Sequence, residues 1–375
     1  MQKSLSGNVA IVGGSLAGLA AGIGLARYGI QVVVYEQTTG EERGGTGLGV
    51  DLELISETTG VDARSDRLTQ ALPVVNEGYR DTSTWLAIFR WLRAVATQTD
   101  RLLVREASRV DAVGSDAHQG FLLGPAVDAR ADVVIGADGY RSVVRRAVWP
   151  ERPYAPYGGF LIWRALVQED WLPTSLVGQV SLGGGRTSHP ETARLVLYRV
   201  PGAEGETAPG RRSVTVAWYD ASRTDWLRER GYLVGNEVTG SVPEDTLDEQ
   251  LRQELLAIVA RRWRGPAREI VTAAIERGAL FGTPLAEYLP ERLVGGRVGI
   301  VGDAAHVASP MVGAGLSSGL EDGAAFRRAV VRTGGTTGES GIRALQLYEE
   351  IRLQPNRERV LESLAATNGL LRSLR

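Results

Sequence analysis

The sequence predicts an α/β fold: a Rossmann-like three-layer domain that binds a dinucleotide, a second, mainly antiparallel β-sheet domain, and C-terminal helices. Three observations carry this prediction. Val9 to Glu36 runs from a buried apolar stretch through a glycine turn and a helix-like segment to a second apolar stretch, which is the order of a βαβ unit. From Pro150 the pattern changes to β-like runs broken by glycine, proline and polar residues. From Arg292 an apolar strand returns and leads into a long helical tail. A chain of 375 residues can bury a large core and divide into two domains. The first is expected from residues 1–75, 76–150 and 286–335, the second mainly from 151–285, followed by a helical segment over 336–375.

Taken in order, Val9 to Val12 reads as a buried strand, Leu16 to Tyr28 as a helix stopped by Gly29, and Val32 to Tyr35 as the next strand. Glu41 to Val50 is too glycine-rich for a regular element and reads as a loop, close to a flat or charged group or else a flexible linker. Trp85, Ile88, Phe89, Leu92 and Val95 recur at helical spacing, so Thr84 to Thr97 is an amphipathic helix. Leu102 to Arg105, Arg109 to Val113 and Phe121 to Leu123 read as strands, with a turn at Gly114 to Asp116 and an exposed His118 beside it. Asp132 to Gly136 is another buried strand. The second domain is expected to use Phe160 to Val167, Gln179 to Leu182, Ala193 to Val200 and Ser213 to Tyr219, with Gly202 to Gly210 a disordered or mobile hairpin tip. Leu247 to Trp263 carries acids early and arginines late, which suits a helix dipole. Val298 to Val301 is a strand of the first sheet, a helix opens at Leu316, and Ile342 to Leu371 is helical with a kink or break at Pro355.

Composition removes several kinds of chemistry. There is no cysteine, so no disulfide, iron–sulfur cluster, thiolate zinc site or redox-active cysteine pair. Lys3 is the sole lysine and lies near a terminus expected to fray, which argues against a Schiff base and a Walker-type phosphate lysine. The three histidines, His118, His189 and His306, are too far apart in sequence to suggest a metal cluster. A net charge of -2 without a basic stripe argues against nucleic acid, and no segment reads as a signal peptide or membrane span. A cytoplasmic, soluble protein, monomer or homodimer, is expected, with its chemistry supplied by an organic cofactor.

Gly13-Gly14-Ser15-Leu16-Ala17-Gly18 is the fingerprint of the dinucleotide turn, with Ser15 where the middle glycine usually stands. Gly13 permits the turn, Ser15 lets backbone amides approach a pyrophosphate, and Gly18 brings helix and strands together. Glu36 follows Gly13 by 23 residues, near the usual spacing of an acid that accepts ribose hydroxyls. Asp138 and Gly139 end the strand at Gly136 and put a carboxylate and amides at the ligand crevice. Arg141 and Arg145 read either as phosphate partners or as solvated helix charges. Gly302-Asp303 ends another strand, and Gly313 and Gly315 with the helix opening at Leu316 can stabilise negative charge on a ring.

These three motifs, in this order over almost the whole chain, resemble the single-component FAD-dependent aromatic hydroxylases, the p-hydroxybenzoate hydroxylase-like flavoprotein monooxygenases. In motif detail (Gly-Gly-Ser, Gly-Thr-Gly, and the Phe160 to Arg164 strand) the chain is similar to 2,6-dihydroxypyridine hydroxylase. The resemblance implies non-covalent FAD held by Gly13 to Gly18, Glu36, Gln37, Arg43, Thr46, Gly47, Arg90, Asp138, Gly139, Gly302, Asp303, Pro310, Gly313, Ala314, Gly315 and Leu316. It also implies NADH or NADPH as co-substrate, and transfer of one oxygen atom of O2 through a flavin C4a-hydroperoxide to a small aromatic or heteroaromatic substrate. An epoxidase or oxidase on the same fold, and a FAD-binding protein without turnover, are the alternatives; a halogenase needs an active-site lysine that this chain lacks. No general base is evident, and the candidates for a catalytic side chain are His306, Tyr198 and Tyr219.

Overall fold

The structure is a computed structural model that describes residues 5–39, 45–64, 71–76, 78, 80–177 and 194–374. Asn8–Val12 is the heart of a six-stranded sheet. Its consecutive apolar side chains need cover on both faces, as in parallel sheets, and Val9 to Val12 are all buried. Gln31–Tyr35 and Val133–Gly136 flank it in parallel, and Leu102–Arg105 and Val298–Ile300 extend the sheet in the same sense. Val294–Gly295 closes one edge antiparallel.

Three layers follow. The helices Leu16–Ala26, Trp85–Thr97 and Gly315–Thr333 pack on one another and on the sheet. On the other side lies a three-stranded antiparallel meander, Ala112–Ser115, Gly120–Gly124 and Val127–Ala131, whose Leu122, Val127 and Ala131 join the sheet's core. The second sheet is four-stranded and antiparallel, in the order Arg194–Val200, Ser213–Asp220, Tyr157–Gln168, Phe281–Ala286. Strand alternation splits it into two faces. Trp163, Ala165, Val167, Leu195, Leu197, Val214, Val216 and Trp218 form one core with the helices Glu249–Arg262 and Gly265–Glu276, and Trp218 meets Trp263 edge-on at 5.1 Å. The opposite face looks into the cavity described below. The expected α/β class, with its antiparallel second sheet and C-terminal helices, is what the chain forms.

Several elements differ from expectation. Gly47–Val50, read as loop, is a strand paired with Asp81–Thr84, because register with a partner overrides the low strand propensity of glycine. The strand expected over Arg109 to Val113 starts at Ala112 and includes Gly114 and Ser115; the turn is tightened instead by Asp116, whose carboxylate accepts from the amides of His118 and Gln119. The tip at Gly202 to Gly210 is tied down rather than disordered: Gly202 donates to the Glu206 carbonyl at 2.8 Å and Gly210 to the buried Glu169 carboxylate at 2.7 Å. The last helix, Glu339–Ser373, runs through Pro355 unbroken, its flanking Arg352 and Asn356 both bound to buried Asp322. Lys3, Arg43, His189 and the strand expected at Gln179 to Leu182 lie outside the described residues.

Candidate functional site

The carboxyl ends of the parallel strands and the inner face of the second sheet enclose one cavity of about 1170 Å³, lined by Val12, Tyr35, Ala137 and Val301 from the strand ends. Crevices at such strand ends are where open α/β sheets bind ligands. Small-molecule pockets hold roughly 300–1,000 Å³, so this cavity is large enough for a dinucleotide with a small ring beside it.

At the dinucleotide end, local sterics dictate sequence. Gly13 has φ +104°, and a Cβ there would stand 2.4 Å from the Ala137 carbonyl oxygen. At Gly18 a Cβ would stand 2.0 Å from the carbonyl oxygen of Gly13, so the helix can approach the turn only without a side chain. Ser15 is the N-cap of the first helix, makes no side-chain bond to it, and lines the cavity. That helix and Gly315–Thr333 both open onto the cavity with no acidic residue in the first turn, so their amides and dipoles favour an anion. Glu36 is buried at the end of the second strand, where it accepts from Gly14 N at 2.7 Å and from Thr38 N and Oγ1 at 2.9 and 3.0 Å. These bonds orient its carboxylate at the cavity wall.

The Asp-Gly and Gly-Asp turns are joined by one side chain. Asp138 accepts from Ser142 Oγ at 2.5 Å and from Val143 N at 2.7 Å, which fixes the turn that follows it. Burial pushes its carboxyl above the usual range against those bonds. Arg145, fully buried, donates from Nη1 to the Tyr140 carbonyl at 2.9 Å, from Nη2 to the Asp303 carbonyl at 2.7 Å and from Nε to the Ala304 carbonyl at 2.9 Å. Its guanidinium stacks 4.1 Å from the centre of the Tyr288 ring. Neither sequence reading of Arg145 survives: it is a strut between the two motifs. Arg141 lines the cavity and donates to the Thr239 carbonyl at 2.7 Å. Asp303 faces the cavity; desolvation raises its carboxyl pKa, opposed by the charges of His306, Arg145 and Arg164.

Of the residues expected from sequence, Gly13, Ser15, Leu16, Ala17, Glu36, Gln37, Thr46, Gly47, Asp138, Gly139, Gly302, Asp303, Pro310, Gly313, Gly315 and Leu316 line this cavity, as do Tyr198 and Tyr219. Gly14 and Gly18 are buried behind the turn, and Ala314 caps the Gly315–Thr333 helix. Arg90 does not join them: it is exposed on the Trp85–Thr97 helix between buried Phe89 and Trp91. Arg80 lines the cavity beside Gly313, its guanidinium 5.5 Å from the Tyr198 ring centre.

His306 is buried and turned into the protein. Its Nε2 lies 2.7 Å from Asp322 Oδ2, and Asp322 also accepts from Gly302 N at 2.9 Å, Arg352 Nε at 2.8 Å and Asn356 Nδ2 at 3.0 Å. Burial alone would raise the Asp322 pKa, but His306 and Arg352 hold the carboxyl below its usual range. This network anchors the Gly302 turn from behind. Tyr198 donates to the Gly47 carbonyl and Thr215 Oγ1 accepts from Gly47 N at 2.9 Å, so both hold the Gly47–Val50 strand to the sheet.

Sequence reasoning offered Tyr198 and Tyr219 from the second sheet but missed the rest of the sheet floor. Arg194, Val196 and Tyr198 alternate on one strand and Thr215, Ala217 and Tyr219 on the next, and these six with Arg164 line the cavity. The period-2 signal is present in the sequence, but which half faces the ligand follows only from pairing. Among the described residues no cluster of His, Asp and Glu could hold a metal ion, and no helix is long and apolar enough to cross a membrane.

Residues 157–276 match the FAD binding domain-like family, and residues 232–362 match the FAD binding domain family. The chain is 27% identical over 335 residues to 2,6-dihydroxypyridine 3-monooxygenase of Paenarthrobacter nicotinovorans, an overlap of 84% of this chain and 80% of that protein. It is 30% identical over 264 residues to 3-amino-4-hydroxybenzoate 2-monooxygenase of Streptomyces cremeus, which takes in 70% of this chain and only 54% of that relative's length. The fold superposes on 2,6-dihydroxypyridine-3-hydroxylase from Arthrobacter nicotinovorans with a TM-score of 0.75 at 21% identity, covering 99% of this chain and 95% of that one. The chain carries the FAD-binding fold of these flavoprotein hydroxylases, and the resemblance read from its three motifs holds.

Proposed function

We propose that the protein is a FAD-dependent monooxygenase that uses NADH or NADPH to insert one oxygen atom from O2 into an electron-rich aromatic or heteroaromatic small molecule. The observation that carries this reading is a single cavity that joins three parts: the Gly13 to Glu36 dinucleotide turn, the Asp303 to Leu316 turn, and a sheet floor of tyrosines and arginines. When bound, FAD supplies reduction by the nicotinamide and activation of O2 at flavin C4a.

The chain's own residues do the rest. The amides at Ser15 to Ala17 and the helix behind them would receive the pyrophosphate. Glu36 would accept the adenosine ribose hydroxyls and Asp303 the ribityl hydroxyls. The amides of Gly315 and Leu316, at a helix start with no acid in its first turn, would stabilise negative charge on the ring system. Burial pushes the Tyr219 phenol up to about 12, against the nearby charges of Arg164 and Arg194, so near neutral pH it holds its proton and can donate to substrate. The enclosed site keeps water from the reacting atoms.

The test is oxidation of NADH and NADPH by purified, FAD-loaded protein with a panel of phenols, hydroxypyridines and hydroxybenzoates. At least one compound should accelerate nicotinamide oxidation and appear as its hydroxylated product; a panel without such a compound counts against the reading.

A further inference from the structure

Glu287 follows the strand Phe281–Ala286 and is buried without a cation. Other buried acids of this chain are paired. Glu169 has Arg199 and Arg212 at 3.0 and 2.9 Å, Asp322 has Arg352 at 2.8 Å, and Asp220 has Arg223 at 2.9 Å. Among the described residues no charged side chain acts on Glu287. The groups that face it from the elements packed around it are uncharged: Gly158 of the second sheet, Ser309 of the turn after Asp303, and Ser363 and Thr367 of the last helix. A Cβ at Gly158 would stand 3.1 Å from Glu287 Oε2, a tight contact that the glycine avoids.

Its two oxygens differ. Oε1 accepts from Ser363 Oγ, whereas Oε2 is buried with no hydrogen-bond partner. The Thr367 hydroxyl, one helical turn beyond Ser363, is buried and unpaired as well, and it acts on the same carboxyl. An ionised carboxylate only accepts and carries a large desolvation cost here, while a neutral acid also has an O–H to donate to Thr367. Burial accordingly pushes the Glu287 carboxyl above its usual range, against the bonds from Ser363, Thr367 and Ser309 N.

The same Ser363 Oγ accepts from Ser309 N at 2.6 Å. Ser309 in turn holds the Pro310–Val312 turn: its Oγ accepts from Met311 N at 3.3 Å and its carbonyl from Val312 N at 3.1 Å. The Ser309 hydroxyl also acts on the Tyr219 phenol. Pro310, Met311, Val312 and Tyr219 line the cavity, and Glu287 stands behind them. Since the link from Ser363 to Ser309 is a backbone N–H, this chain of bonds fixes position and is no proton path.

We infer that Glu287 is a positioning residue of the site: as a neutral carboxylic acid it holds Ser363 and Thr367 of the last helix, and through Ser363 it fixes Ser309, on which the Pro310–Gly313 turn and the Tyr219 hydroxyl depend. That turn leads into Gly315 and Leu316, whose amides are assigned to the FAD ring. The inference rests on that reading of the turn and not on any oxygen-transfer step. Through Glu287 the last helix acts on the cavity without lining it.

The experiment uses FAD-loaded protein and needs no turnover. Wild type is compared with Glu287→Gln, which matches a neutral acid in shape and in having one accepting and one donating side, and with Glu287→Leu, which has neither. Urea unfolding is followed in parallel from about pH 4.5 to pH 7. The unfolded glutamate ionises near pH ~4.3 while the folded one keeps its proton, so wild type should lose stability relative to Glu287→Gln as pH rises. The ratio of their unfolding equilibrium constants should change by up to about tenfold per pH unit below the folded pKa. The flavin absorbance spectrum is the second readout. Glu287→Gln should keep the wild-type spectrum and Glu287→Leu should shift it; Ser363→Ala cuts the same chain one bond later and carries this arm where Glu287→Leu does not fold. Three results overturn the inference: a stability ratio of wild type to Glu287→Gln that is constant across the window or moves the other way, a spectrum that Glu287→Leu and Ser363→Ala leave unmoved, or a Glu287→Gln spectrum shifted as far as theirs. Both readouts stand even where no aromatic compound is oxygenated, an outcome that counts against the oxygenase reading alone.

Discussion

Individual residues at the dinucleotide turn are set by contact distances that leave no room for substitution. Gly13→Ala would bring a methyl group against the Ala137 carbonyl at a φ of +104°, so the variant should fail to retain FAD and unfold at markedly lower urea, by about 1–3 kcal/mol or more. Equilibrium unfolding and the flavin content of the purified variant check this. Ser15 is more forgiving: Ser15→Gly should cost about 1 kcal/mol or less of FAD affinity, whereas Ser15→Val should block uptake by crowding the amides. Glu36→Gln exchanges a carboxylate that accepts from Gly14 and Thr38 for an amide that donates on one side. FAD affinity should fall by about 1.5–3 kcal/mol, roughly ten- to a hundredfold, in a fluorescence-quenching titration.

These residues were legible in the sequence because their constraint is local. A tight turn, a helix start and a strand-end acid are read from spacing alone. Arg164 and Arg194 were not, since their meaning depends on which face of an antiparallel strand is inward. Arg90 misled for a related reason. It lies on the Trp85–Thr97 helix, whose period buries Phe89 and Trp91 and turns it outward, whereas Arg80 is among the arginines that line the cavity.

At the scale of elements, two buried networks hold the turns that line the cavity in register with one another. Arg145 links the loop after Asp138 to the Asp303–Ala304 turn through three backbone carbonyls. Arg145→Met would keep much of the volume and leave those carbonyls buried and unpaired. It should cost about 3–5 kcal/mol in urea unfolding and weaken FAD binding along with stability. Asp322 performs the same task behind Gly302, tying His306, Arg352 and Asn356 together.

The Asp322 carboxyl is held below its ordinary pKa in the folded protein, despite burial, by His306 and Arg352. The unfolded chain therefore binds its proton first as pH falls. The stabilisation is present above the unfolded carboxylate pKa of about 4 and is lost as pH drops through the folded value. Asp322→Asn should destabilise at neutral pH, and the gap between variant and wild type should narrow between about pH 5 and pH 3 in parallel urea titrations. A gap that stays constant across that range would show that the carboxylate's charge is not what the network uses. The elements themselves were mostly readable from apolar period, down to the Thr84 cap whose side chain accepts from Ala87 N at 3.1 Å. The pairing of Gly47–Val50 with Asp81–Thr84 was hidden, because glycine-rich strands carry no period of their own.

For the molecule as a whole, the two sheets meet over one cavity, so cofactor binding and stability are coupled. FAD at a hundred times its dissociation constant should stabilise the fold by about 2.7 kcal/mol, seen as a concentration-dependent rise in melting temperature. The division of labour was visible from the three motifs in their order, which made the first domain a FAD site rather than a nicotinamide site. The second sheet was expected at the pocket through Tyr198 and Tyr219, but the rest of its floor was not, because a pocket floor is assembled across strands. The most direct test of the central claim is incorporation of isotopically labelled O2 by FAD-loaded protein supplied with NADH or NADPH and an electron-rich aromatic or heteroaromatic compound. The account predicts a hydroxylated product that carries one labelled oxygen atom, with the other recovered in water. A product whose new oxygen comes from solvent, or nicotinamide oxidation that yields only peroxide with every aromatic tried, would contradict it.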